Sequence, residues 1–130
     1  MAVVIDSSVL LTIFNREAGS EKALEIISHS VMSTVSVAET LGIISSRYNA
    51  PIIEAKKFIY QIVGNVITFD DKQAMIAGEL ENISRQGKYG LSLADKACLA
   101  LGISMNLPVY TTDKIWSEIT FDNLKVIQLR

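Results

Sequence analysis

The chain has 130 residues, 49% of them apolar, with mean hydropathy +0.32 and a formal net charge of −2. That length predicts one domain with one ordinary core. The charge balance excludes a protein that gathers nucleic acid by its overall field, so such a partner would need a local basic patch or a metal ion.

No apolar stretch reaches the roughly 18 residues of a membrane helix, and no basic leader precedes the first strand-like run, so neither a membrane span nor a signal peptide is expected. The single cysteine, Cys98, lies in an apolar helical run and reads as a small buried hydrophobe in a reducing cytoplasm.

Ala2 to Ile5 is an apolar, β-branched run and predicts the first strand. Helices are predicted over Ser8–Asn15 and from Ser20 to His29, the second with Glu21 in its first turn. Val31–Val35 predicts a second strand, and Ser36-Val37-Ala38-Glu39 reads as a capping box that opens a helix towards Tyr48. Pro51 suits the first turn of a helix to about Val63, which Gly64-Asn65 ends. Val66–Phe69 is the third predicted strand, and Asp70-Asp71 opens a helix to about Gln86. After the Gly87–Gly90 loop, Ser92 caps a helix that ends near Met105-Asn106. Val109–Thr111 predicts a fourth strand, Asp113–Glu118 a short helix or turn, and Lys125–Leu129 a last strand. Strands alternating with helices predict a parallel α/β sheet with right-handed crossovers.

Asp6, Glu39, Asp95 and Asp113 all stand where a predicted strand gives way to a helix or in a helix's first turn. In a parallel sheet these junctions share one edge, where open α/β folds bind ligands. Taken singly, each acid also reads as a helix cap, favoured by the macrodipole by roughly 0.3–1 kcal/mol. Asp70 and Asp71 occupy the same kind of junction and are assigned to capping. As a set, the four acids would repel one another unless a cation joined them. Hydroxyls flank two of them, in Asp6-Ser7-Ser8 and Thr111-Thr112-Asp113. The one histidine, His29, falls late in an exposed-looking helix, and no zinc or nucleotide-binding motif competes. Oxygen-only ligands select Mg²⁺ or Mn²⁺.

The segments Val4-Ile5-Asp6-Ser7-Ser8, Ser36-Val37-Ala38-Glu39, Leu91-Ser92-Leu93-Ala94-Asp95 and Val109-Tyr110-Thr111-Thr112-Asp113 resemble the PIN domain. More narrowly, they resemble the VapC-type toxins of bacterial and archaeal toxin–antitoxin pairs. The resemblance implies a single PIN-like domain over residues 1–130, a three-layer α/β/α sandwich with a parallel sheet ordered 3-2-1-4-5. It implies a Mg²⁺- or Mn²⁺-dependent endoribonuclease, homodimeric and held inactive by a cognate antitoxin. Asp6, Glu39, Asp95 and Asp113 map onto the acidic metal site. Ile115 and Trp116 stand where many members carry a further acid, which weighs against a firmly held second ion. The strand order sets Asp70 and Asp71 at the sheet's edge, away from the site.

On this reading Ser7 and Thr112 orient phosphate or ligand. Arg85, Lys88, Lys96 and Lys114 hold the RNA backbone, and Tyr89 stacks on a base. Val37 to Val63 carries more apolar residues than one helical stripe needs, which predicts an outward face, with Ile59 on it, for a second copy or an antitoxin helix. Two other readings compete: a phospho-accepting receiver module, and a PIN-like scaffold that binds partners without cleaving.

Overall fold

The structure, a computed structural model, describes residues 1–130. Its elements in chain order are β1 Val3–Ile5, α1 Ser7–Phe14, α2 Ser20–Ile26, β2 Ser30–Ser33, α3 Thr34–Tyr48, α4 Ile52–Ile62, β3 Asn65–Ile67, α5 Asp71–Gly87, α6 Leu93–Met105, β4 Val109–Thr111 and β5 Val126–Gln128. Single 3₁₀ turns cover Ile27–His29 and Lys114–Glu118. All five strands pair in parallel in the order β3-β2-β1-β4-β5. A receiver-type sheet would run 2-1-3-4-5, so the observed order removes that alternative.

The strands are short, and side-chain alternation divides the core between the two faces of the sheet. Val3 and Ile5 point to one face and pack with Val9 and Leu10 of α1, Ala23 and Ile26 of α2, Val37 of α3 and Ile59 of α4. Val4, Val31 and Val109 point to the other and pack with Leu80 of α5, Cys98, Leu99 and Leu101 of α6, and Trp116. The result is the expected α/β/α sandwich. Gly102 lets α6 lie close on β4: a Cβ there would stand 2.5 Å from Val109 Cγ2. That close seat holds α6 against the sheet, with Cys98, Leu99 and Leu101 in the second core.

Two local readings are corrected. The helix after β2 begins at Thr34, not at Ser36, because the Ser33 hydroxyl accepts the Val35 N–H at 3.1 Å and ends the strand. Val35 looks strand-like but falls in the first turn of the helix, whose Val37 is buried in the core. Glu39 therefore falls in the second turn, and the Ser36–Glu39 capping box does not form. Ile59 is not outward: it is fully buried, with Ala55 and Val63 on the same stripe of α4. The outward apolar residues of this helix are Ile52, Ile53 and Tyr60.

Candidate active site

Asp6 leaves β1 in extended geometry and caps α1, its Oδ1 accepting the Ser8 N–H at 3.0 Å. Because β1 is the central strand, this cap is buried rather than solvated, at 8% exposure. Burial lifts its carboxyl from 3.8 to about 6, against hydrogen bonds from Ser8, Thr111 and the Val9 backbone, and Asp95 raises it further. Asp95 lies in the first turn of α6, where it forms a true capping box with Ser92: Ser92 N–H to Asp95 Oδ2 at 2.9 Å, and Asp95 N–H to Ser92 Oγ at 3.1 Å. Its carboxyl is also pushed up, first by desolvation and then by the charges of Asp113 and Glu39. Asp113 caps the 3₁₀ turn after β4, with Oδ1 accepting the Ile115 N–H at 3.0 Å.

Glu39 caps nothing. Its Oε1 accepts the Ser7 hydroxyl at 2.5 Å, joining α3 to α1 across the sheet's edge. So three of the four acids are caps, as the simplest reading has it, and they nevertheless converge. Asp95 feels the charges of Asp113 and Glu39, and Asp6 feels that of Asp95. The Cys98 thiol beneath them is pushed well up by its own burial and by Asp6, Asp95 and Glu39.

The donor set is all oxygen, and ionising it in so dry a place favours a hard divalent cation. Oδ1 of Asp95, Oδ2 of Asp113 and Oε2 of Glu39 accept no hydrogen bond from the protein. No three acidic side chains are drawn together tightly enough to ligate one ion directly. The residues fit an ion that keeps part of its water shell, as Mg²⁺ does.

Of the two hydroxyls expected to serve the site, Ser7 holds Glu39, while Thr112 contributes its backbone N–H, given to Ser8 Oγ at 3.0 Å. The hydroxyls on Asp6 are Ser8 and Thr111. The expected RNA-binding set is divided. Lys96 is mostly buried and bound to Glu81 at 2.8 Å, and Arg85 meets the same carboxylate at 3.0 Å. Together they hold Glu81 below the usual range, Lys96 being the larger influence. Lys114 donates to the Arg130 carbonyl. Tyr89 packs its ring over Gly87 and against the second core, and Lys88 is exposed at the end of α5. Asp70 caps α5 through the Gln73 N–H at 2.9 Å, on the edge side of the sheet.

Among known families the chain matches the PIN domain over residues 3–122. No curated protein matches its sequence. Solved structures share its fold along nearly the whole length. One is VapBC2 from Rickettsia felis bound to a DNA fragment from its promoter, 18% identical, covering 98% of this chain and 98% of that one, with a TM-score of 0.77. DNA-bound VapBC from Salmonella typhimurium is 14% identical over 100% of this chain and 99% of that one, with a TM-score of 0.76. VapC20 from Mycobacterium tuberculosis, a sarcin–ricin loop cleaving toxin, is 17% identical over 95% and 99%, with a TM-score of 0.72.

Proposed function

We propose, given that the chain belongs to the PIN domain family, that it is a divalent-metal-dependent endoribonuclease that hydrolyses RNA phosphodiester bonds as the toxin of a toxin–antitoxin pair. The observation that carries this reading is the convergence of Asp6, Glu39, Asp95 and Asp113, from four separate elements, on the carboxyl edge of the sheet beside its central strand. The fold it shares with a sarcin–ricin loop cleaving toxin supports RNA as the substrate class. Its likeness to VapBC complexes supports an antitoxin as the partner.

Mg²⁺ or Mn²⁺ would be held chiefly by Asp6 and Asp95, with Glu39 and Asp113 engaged directly or through water. Bound there, the cation supplies charge neutralisation at the scissile phosphate and a water acidified enough to attack near neutral pH. The chain supplies the rest. Asp6 and Asp95, pushed up by burial and by their neighbours, are charges waiting for a positive partner. Glu39 is oriented by Ser7, which leaves Oε2 free to accept a proton from an attacking water. The 3₁₀ turn after β4 presents Asp113 on the other side. Lys88 is the exposed cation of the nearby loop and offers the phosphate backbone a contact.

The test is cleavage of single-stranded RNA with Mg²⁺, with Mn²⁺ and with chelator. Cleavage that persists unchanged in chelator would refute the metal reading. Partner binding is assigned to the outward face of α4, where Ile53 is 68% exposed and Ile52 and Tyr60 each 49%. Ile53→Glu should leave stability within about 0.5 kcal/mol while weakening association with an antitoxin segment or a second copy. Light scattering and a melting curve on the same sample separate the two effects.

A further inference from the structure

We propose that Thr111 and Ser8 are positioning residues that leave Asp6 a single oxygen direction, on Oδ2, with which to meet a divalent cation. Ser8 gives Asp6 Oδ1 both its backbone N–H, at 3.0 Å, and its hydroxyl, at 2.5 Å. Thr111 Oγ1 gives its hydroxyl to Oδ2 at 2.7 Å. The sense of both hydroxyl bonds is fixed by what each oxygen receives. Ser8 Oγ accepts the Thr112 N–H at 3.0 Å, and Thr111 Oγ1 accepts the Asp113 N–H at 3.0 Å. Each hydroxyl proton is thereby turned to the carboxylate.

A carboxylate offers about four acceptor directions. On Asp6 both Ser8 groups fill Oδ1, with the Val9 N–H also drawn to the carboxyl, while Oδ2 carries the Thr111 hydroxyl alone, so Oδ2 is the oxygen left to meet a cation. Asp6 is thus a one-oxygen ligand, aimed by a threonine on another strand. The same threonine oxygen anchors the backbone of Asp113, so one hydroxyl sets the spacing between two acids of the site. The sheet does not need this bridge for its own pairing. β1 and β4 are already joined by their ladder and by the Val4 N–H to the Pro108 carbonyl at 2.8 Å.

This inference rests on the metal reading above, and its test separates the two. Mn²⁺ binding to the full chain is measured by titration calorimetry and by loss of the free Mn²⁺ spin-resonance signal, with no RNA present. Wild type, Thr111→Val, Thr111→Ser and Ser8→Ala are compared, with circular dichroism to verify each fold. Thr111→Val should weaken Mn²⁺ binding about 10–100-fold, and Thr111→Ser, which keeps the hydroxyl, should restore it. Ser8→Ala should weaken binding in the same direction and serves as the deciding variant if Thr111→Val fails to fold. Wild-type affinity in the folded Thr111→Val protein, or in Ser8→Ala if valine unfolds the chain, overturns the positioning role and leaves the metal reading standing. A wild type that binds no Mn²⁺ overturns the metal reading and this inference together.

Discussion

Asp6 and Asp70 have nearly the same backbone, φ −99° and ψ −178° at one, φ −100° and ψ −177° at the other. Each follows a strand, and each caps a helix through a backbone N–H. Asp6 lies at the end of the central strand, buried and within reach of the charge of Asp95, which in turn feels Asp113 and Glu39. Asp70 lies beyond the edge strand and is exposed. Local conformation therefore does not distinguish an acid of the candidate site from one that only caps a helix. What distinguishes them is the strand's rank in the sheet, which decides what else arrives beside the carboxylate and how much water remains.

The widest separation between the two should be in activity. Asp6→Asn should lower metal-dependent RNA cleavage by about a thousandfold or more, the several kcal/mol that a held cation supplies. Asp70→Asn should cleave as wild type does. Equal activity of the Asp6 variant would remove the site; a large loss at Asp70 would mean the edge of the sheet takes part.

The pH dependence of stability should divide them next. In the metal-free protein Asp6 titrates near 6 rather than 3.8, so between those values the folded state keeps a proton that the unfolded chain has lost. Its carboxylate then opposes folding by about 3 kcal/mol at pH 7, and that penalty is released as pH falls through 6 towards 4. Urea titrations at pH 7 and pH 5 should show the gain in wild type and in Asp70→Ala, and a smaller one in Asp6→Asn, where Asp95 is still pushed up. Cleavage should run the opposite way, falling as Asp6 takes its proton.

Saturating metal should stabilise wild type by about 2.7 kcal/mol at 100 times its dissociation constant, leave Asp70→Ala with the same increment, and give Asp6→Asn much less. Thermal melts across a Mn²⁺ series measure this. The smallest effect is the cap itself: Asp70→Ala should cost about 0.5–2 kcal/mol with no change in cleavage rate.

The strands were legible in the sequence because each is a short apolar, β-branched run between breakers, as in Val3-Val4-Ile5 and Val109-Tyr110-Thr111. Their order was not, since periodicity says which face a residue takes and nothing of which strand lies beside which. The order came from the family resemblance, and the structure has it. Asp6, Asp95 and Asp113 do stand at the junctions expected of them, while Glu39 lies a turn further into its helix, and which hydroxyls bond to Asp6 and Glu39 could not be read. Ser7 and Ser8 are adjacent, yet one turns to Glu39 and the other to Asp6, a choice made by the first turn of α1. Thr111 carries a usable sign, because alternation along β4 sets it apart from Tyr110, and it is buried. Ile59 was misplaced because the small Ala55 gave no hydrophobic weight to the stripe it marks. Ala55 is buried on the same side of α4 as Ile59.

Cys98 is the chain's one sulfhydryl, with no solvent access, under the carboxylates on α6. An alkylating reagent can reach it only when α6 lifts from the sheet, so its labelling rate in native buffer counts those openings. A cation gripping Asp95 at the start of the same helix must slow that count. The buried sulfur would then tell whether a cation occupies the candidate site, with neither RNA nor antitoxin present and no residue substituted.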